Sequence, residues 1–180
     1  MTHILHIDSS ARLQGSVTRT ASAETVADLK SRTPNTTVTY RDLAKGEPII
    51  SQTWVGATFT PKPDRSAVQK NELSHSDTLV AELKAADIIV IGLPVYNFSV
   101  PASLKTWLDQ VARVGETFHY TENGPKGLLE GKKVIVQYSS GGTPLGSAID
   151  FATPYLRHML GFMGLSDVEF ETSTPQSIAA

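Results

Sequence analysis

The chain has 180 residues, 40% of them hydrophobic and 19% charged, which fits one globular domain over residues 1–180 with a core large enough to stand alone. A net charge of −2, a pI near 6.2 and the lack of any long Lys/Arg run argue against a nucleic-acid partner. With no cysteine there is no thiol nucleophile, CxxC redox pair, iron–sulfur cluster or cysteine-ligated zinc, so redox chemistry would have to be borrowed from an organic cofactor.

Residues 3 to 8 (HILHID) read as the first strand, and the start is too short and polar for a signal peptide. His3 and His6 stand an odd number of positions apart on that strand, so their side chains face opposite ways and cannot share a metal. A Ser-rich loop leads to a helix from about Arg19 to Leu29, and Thr37 to Tyr40 forms a second strand that the pair Arg41-Asp42 brings to a close. The stretch through Gly46, Pro48, Gly56, Pro61 and Pro63 reads as irregular, a candidate lid or interface segment. Residues 66 to 86 are helical by the pattern Leu73, Leu79, Val80, Leu83, and Asp87 to Gly92 is the continuous apolar run of a parallel strand covered on both faces.

The apolar run Ile88 to Val95 is far short of the roughly 18 residues a membrane span needs, which gives the expectation of a soluble, cytoplasmic protein with no membrane partner. Leu104, Trp107, Leu108 and Val111 then repeat at helical spacing, with Pro101 in the first turn. Lys133 to Ser139 is a fourth strand, Thr153 to Met163 a helix, and Val168 to Glu171 a fifth strand. Alternating strands and helices call for a parallel sheet with helices on both faces. His75, His119 and His158 show no metal-ligand spacing, and no metal site is expected.

Loops after strands one, three and four leave one edge of such a sheet, where open α/β folds hold ligands. The first, Ser9 to Thr18, is rich in hydroxyls and opens a helix, whose free N–H groups and positive dipole end suit a phosphate. Ser10, Ser16 and Thr18 are candidate donors, with helix capping by Ser16 or Thr18 the alternative. Neither GxGxxG nor GxxxxGK[ST] is present. The second loop carries Tyr96, Asn97 and Phe98 between Pro94 and Pro101, which read as a slot for a flat, polar-edged ring or as packing aromatics. The third, Ser139-Ser-Gly-Gly-Thr-Pro144, bares backbone N–H groups at two glycines and is not a GxSxG elbow. Together they describe a mononucleotide site of the FMN kind, with the flavin itself carrying the chemistry and no catalytic side chain required.

Pro94-Val-Tyr-Asn-Phe98, Gly115-Glu-Thr-Phe-His-Tyr-Thr-Glu-Asn-Gly-Pro125 with Gly127-Leu128, Gly131-Lys-Lys133, and Thr153-Pro-Tyr-Leu156 with Leu160-Gly-Phe162 are similar to the FMN-dependent NADH-azoreductase family, nearly end to end. Members of that family are also described as NADH:quinone oxidoreductases of flavodoxin-like fold, which implies an open five-stranded parallel sheet in the order 2-1-3-4-5. The resemblance implies FMN bound by Ser10, by Ser16, Val17 and Thr18, by Val95, Tyr96, Asn97 and Phe98, and by Ser139, Ser140, Gly141 and Gly142. It implies a homodimer with two active sites at the interface, where Phe118, Tyr120 and Phe162 flank flavin and substrate.

The implied reaction is ping-pong: NADH reduces FMN and leaves, then a quinone takes two electrons to become a hydroquinol, or an azo compound takes four in two rounds and separates into amines. The alternative is a flavodoxin-type FMN electron carrier without NADH turnover; a non-enzymatic signalling module on the same sheet is a third reading. Two departures from the family pattern stand out. Ser140 occupies the place of an arginine in Ser-Arg-Gly-Gly, and Glu171 is followed only by nine residues where the family has a long helix.

Overall fold

In a computed structural model, which describes residues 1–173, the chain runs β1 (His3–Asp8), α1 (Val17–Arg32), β2 (Thr37–Asp42), α2 (Gln52–Phe59), α3 (Ala67–Ala85), β3 (Ile88–Pro94), α4 (Ala102–Val111), β4 (Phe118–Thr121), β5 (Gly124–Gly127), β6 (Lys133–Ser139), α5 (Ala152–Phe162) and β7 (Asp167–Thr172). Five strands form a parallel sheet in the order β2-β1-β3-β6-β7. That is the expected 2-1-3-4-5 order, the fourth and fifth predicted strands being β6 and β7. The C-terminal stretch from Thr174 to Ala180, where the family pattern calls for a helix, lies outside the described residues.

Strand β3 is buried from Ile89 to Pro94 because helices cover both of its faces. Leu5, Ile7, Ile89, Ile91, Val134 and Val136 meet Leu79 and Leu83 of α3, Leu104, Trp107 and Leu108 of α4, and Leu156 and Leu160 of α5. On the other face Ile4 and Val90 meet Val26 of α1. These two sets alternate along β1 and β3, as the period-2 geometry of a strand requires.

Three expectations need correction. Arg41 and Asp42 do not close the second strand but belong to it, each paired in register with β1 and satisfied by a partner, Glu82 for Arg41 and Arg19 for Asp42. The stretch read as irregular contains α2, which Ser51 caps by accepting from Trp54 N at 3.0 Å. Helix α2 is docked rather than loose: Trp54 and Ala57 pack on Leu73 of α3, and the Trp54 indole N–H donates to Gln110 Oε1 of α4 at 2.9 Å. Pro101 stands at the cap of α4 rather than within its first turn.

The antiparallel hairpin β4–β5 had no strand-like pattern to announce it, because Gly-Pro-Lys-Gly is poor in the residues strands favour. Its place is fixed by tertiary packing. Gly127 lies against Met163 and Gly164 at the end of α5, and Leu128 N and Leu129 N both donate to Met163 O, at 3.1 and 2.9 Å.

Candidate functional site

Strand β1 ends in a buried Asp8, and Ser9 Oγ donates to Gly92 O at 2.6 Å, pinning the first loop to β3. The loop then enters α1 through Ser16, whose Oγ accepts from Arg19 N at 3.4 Å while its carbonyl accepts from Thr20 N at 3.2 Å. Ser16 is therefore the helix cap, as the simpler reading held. Capping leaves the N–H groups of Val17 and Thr18 without an acceptor inside the helix, since the opening turn of any α-helix supplies none. The side chains of Ser10, Ser16 and Thr18 are buried beside them.

The second loop is a tight turn. Tyr96 and Ser99 exchange two backbone hydrogen bonds of 3.1 Å, and Asn97 and Phe98 between them have φ of 50° and 69°. Positive φ at both central residues is the primed turn that matches strand twist. It is natural for Asn97 and costs roughly 1–2 kcal/mol for Phe98. Phe151 N holds the strained residue by donating to Phe98 O at 3.1 Å, and Tyr96 OH ties this loop to the first, lying 3.3 Å from Ser10 Oγ and accepting from Ala11 N at 3.2 Å.

In the third loop Ser140 Oγ accepts from Thr143 N at 2.9 Å and donates to Thr143 O, and Tyr138 OH donates to the same carbonyl at 2.6 Å. These bonds throw Gly141 and Gly142 outward, where a Cβ on either would meet nothing within 4 Å. Asp150, absent from the sequence reading, organises the rest of the loop. It accepts from Gly146 N, Ala152 N, Thr153 N and Thr153 Oγ1 at 2.9, 3.0, 3.0 and 2.5 Å. Burial pushes its carboxyl up, but those four donors outweigh burial and hold it below the ordinary aspartate value. The signal that could have revealed it is an Asp three residues ahead of a Thr at the start of a helical pattern.

The three loops enclose a cavity of about 140 Å³ lined by Ser10, Ser16, Val17, Thr18, Val95, Tyr96, Ser139, Ser140 and Gly141 of the expected residues, together with Arg12 and Pro94. Asn97 and Phe98 are exposed and do not line it, and Gly142 borders an adjoining cavity of about 300 Å³ that shares Ser140 and Gly141. Hydroxyls, free helix N–H groups and one arginine, with no acidic side chain among the described residues of the wall, form a donor set suited to a phosphate dianion. The cavity is smaller than the ~300 Å³ at which whole-ligand pockets begin, so a flat ring joined to that phosphate would rest outside it, toward Phe98 and the two glycines.

Phe118, Tyr120 and Phe162 do come together, with ring centroids 4.4 Å apart for Phe118–Phe162 and 5.6 Å for Phe118–Tyr120. They do not join the three loops. Phe162 ends α5, which returns the chain to the start of β7, level with Lys133 at the start of β6. The aromatic cluster thus lies at the opposite edge of the sheet, roughly 20 Å away along the seven residues of β6.

Behind the first loop is a polar network. His6 Nε2 is 2.9 Å from Ser22 Oγ, which donates to Asp8 Oδ1 at 2.8 Å, and Tyr40 OH donates to Asp8 Oδ2 at 2.9 Å. Burial, together with the hydrogen bond to Asp8 and its charge, pushes the Tyr40 phenol up to about 12. His3 is engaged by Thr37 and Thr39, at 2.7 and 3.1 Å. Among the described residues no group of three or more His, Cys, Asp or Glu could hold a metal, and no helix is long and apolar enough to cross a membrane.

A family model described as flavodoxin-like fold matches residues 2–178. An FMN-dependent NADH:quinone oxidoreductase 1 of Jannaschia sp. (strain CCS1) is 58% identical over 96% of this chain and 88% of the relative. An FMN-dependent NADH:quinone oxidoreductase of Thiobacillus denitrificans (strain ATCC 25259 / T1) is 51% identical over 92% of this chain and 81% of the relative. Among solved structures, an FMN-dependent NADH-azoreductase from Bacillus anthracis str. Ames Ancestor in complex with FMN is similar with a TM-score of 0.84 and 25% identity, over 96% of this chain and 86% of that one.

Proposed function

This chain belongs to the flavodoxin-like fold family, and from that membership we propose that it is an FMN-dependent NADH:quinone oxidoreductase that also cleaves aromatic azo compounds. The observation that carries the reading is the single cavity formed by the loops after β1, β3 and β6, whose donors suit a phosphate and whose rim bears a strained aromatic turn and two bare glycines. The names of the relatives, at up to 58% identity, agree with it.

In this reading the hydroxyls of Ser10, Ser16 and Thr18 and the N–H groups of Val17 and Thr18 hold the FMN phosphate. Val95 to Phe98 and Ser139 to Gly142 hold the sugar alcohol and the ring. When bound, FMN supplies the redox chemistry, accepting a hydride from NADH and delivering electrons to a quinone or an azo compound. The protein's part is to orient the ring with Asn97 and with backbone N–H groups at Gly141 and Gly142, and to leave one ring face open to a planar acceptor. Ser140, at the place of the arginine of the family pattern, spends its Oγ on Thr143 and braces the loop.

Phe118, Tyr120 and Phe162 serve this site from a second copy of the chain. Within one copy they stand at the far edge of the sheet, and Tyr120 is 69% exposed. A homodimer that sets this cluster over the partner's loops completes an apolar slot for nicotinamide, quinone and azo dye in turn. NADH as the donor fits a cytoplasmic setting. The test is an absorption spectrum after FMN addition and desalting, followed by anaerobic NADH and then benzoquinone. Retained flavin bands that bleach with NADH and return with quinone are expected; retained bands that NADH leaves unchanged would refute the enzymatic reading.

A further inference from the structure

Arg19 lies just inside α1, does not line the cavity, and spends its guanidinium on the back of the first loop. Its Nη2 donates to Ser10 O at 2.8 Å and its Nε to Arg12 O at 3.0 Å. The same fork is held from behind by Asp42, 2.6 Å from Nη2, by Tyr40 OH, which accepts from Nη1 at 3.0 Å, and by Asp8, 3.5 Å from Nη1. Two carboxylates face this one cation, and its side chain is 14% exposed. Its charge is therefore neutralised within the network rather than offered to a ligand.

We propose that Arg19 is a positioning residue that fixes the first loop for the FMN phosphate and thereby sets the preference for FMN over riboflavin, its analogue without phosphate. The inference rests on the reading that the phosphate sits in this cavity. Two carbonyls drawn backward onto one rigid fork set the Ser10–Ala11 and Arg12–Leu13 peptide planes. With the Ser10 carbonyl turned back, Ala11 N is aimed at Tyr96 OH, and between the two held planes Arg12 N donates to Ser10 Oγ at 3.2 Å. Ser10 Oγ is thereby fixed at the cavity wall while Arg12 is carried to its lip. A lysine here would keep the charge for Asp42 but offers a single donor point, and it cannot span two carbonyls, a carboxylate and a phenol in one plane.

The test is a flavin-fluorescence titration of the full chain, freed of flavin, with FMN and separately with riboflavin, for wild type, Arg19→Lys and Tyr40→Phe. The expected result for Arg19→Lys is an FMN Kd raised by about tenfold or more with the riboflavin Kd changed by less than about twofold, since only FMN carries the phosphate. Tyr40→Phe removes one rear support and leaves both loop carbonyls engaged. A smaller loss in the same FMN-selective sense is expected for it, and this keeps the test decisive if Arg19→Lys does not fold. Equal weakening of both ligands, or an unchanged ratio, overturns the role given to Arg19. A wild type that binds riboflavin as tightly as FMN overturns the phosphate reading itself, and the inference with it.

Discussion

Replacing Gly127 with alanine should unseat the hairpin that carries Phe118 and Tyr120. A Cβ at this position would stand 2.0 Å from Gly164 N and 2.3 Å from Met163 C, both backbone atoms that no rotamer can move aside. Ordinary contact begins near 3.4 Å, so the hairpin or the end of α5 has to give by about 1.4 Å. That shift stretches the bonds from Leu128 N and Leu129 N to Met163 O, now 3.1 and 2.9 Å, past useful length. Two hydrogen bonds at about 1 kcal/mol each, with about 1 kcal/mol for the Phe118–Phe162 ring contact, give a loss of about 3 kcal/mol. For a chain of this size that lowers Tm by about 6–12 °C. A thermal melt of Gly127→Ala beside wild type, with hydrogen exchange at Leu128 and Leu129, checks it. A Tm within about 2 °C of wild type with both amides still protected would refute the packing argument.

Other expectations follow from the same contacts. Asn97→Leu puts a branched side chain at φ 50° where Asn is tolerated, and should weaken FMN binding; unchanged flavin affinity in a titration would count against placing the ring at this turn. Phe98→Gly relieves roughly 1–2 kcal/mol of backbone strain, so its Tm should not fall despite the lost ring, and a clear drop would show that the exposed phenyl is stabilising. Asp150 and Asp42 have carboxyls held below their ordinary value despite burial. Their contribution is complete above about pH 4–5 and is lost as pH falls through the depressed values. Asp150→Asn should therefore flatten the acid limb of a pH–Tm curve, and parallel curves for variant and wild type would exclude the effect. At the other extreme Tyr40, pushed to about 12 mainly by burial, favours the folded state below pH 10, an advantage that fades between about pH 10 and 12. In Tyr40→Phe the absorbance step near 295 nm should lose its most alkaline part, and an unaltered titration would contradict the phenol–Asp8 bond.

The sheet was legible because its strands obey the simplest rule available: Ile88 to Ile91 is continuously apolar and both its faces are covered. The cavity was legible because strand ends in a parallel sheet meet at one edge, so that loops far apart in sequence needed only the right chemistry to be matched. What escaped depends on contacts between distant residues. Helix α2 is held by one tryptophan reaching Gln110, and the hairpin by two glycines touching across 37 positions, Gly127 and Gly164. Neither contact leaves a periodic trace. Arg41 and Asp42 misled for a related reason: charged residues read as a strand end until Glu82 and Arg19, supplied by α3 and α1, neutralise them.

The separation of the two aromatic groups bears on what such a site can discriminate. In the proposed site, hydroxyls, N–H groups and a clamped loop would read a phosphate, an anion whose mispairing leaves buried donors unsatisfied and is penalised heavily. The cluster at the far edge offers rings, and beside them in β4 only His119 and Thr121, of which Thr121 Oγ1 is already engaged with Gly124 O at 2.7 Å. A slot completed by such a face rewards flatness and area, and an apolar wall rejects an extra polar group on a planar guest only weakly. Broad acceptance of planar electron acceptors is therefore the expected counterpart of strict selection for the phosphorylated flavin. If the proposed dimer sets the strict half on one copy and the permissive half on another, acceptor range would change through Tyr120 without disturbing the loops proposed to hold the cofactor.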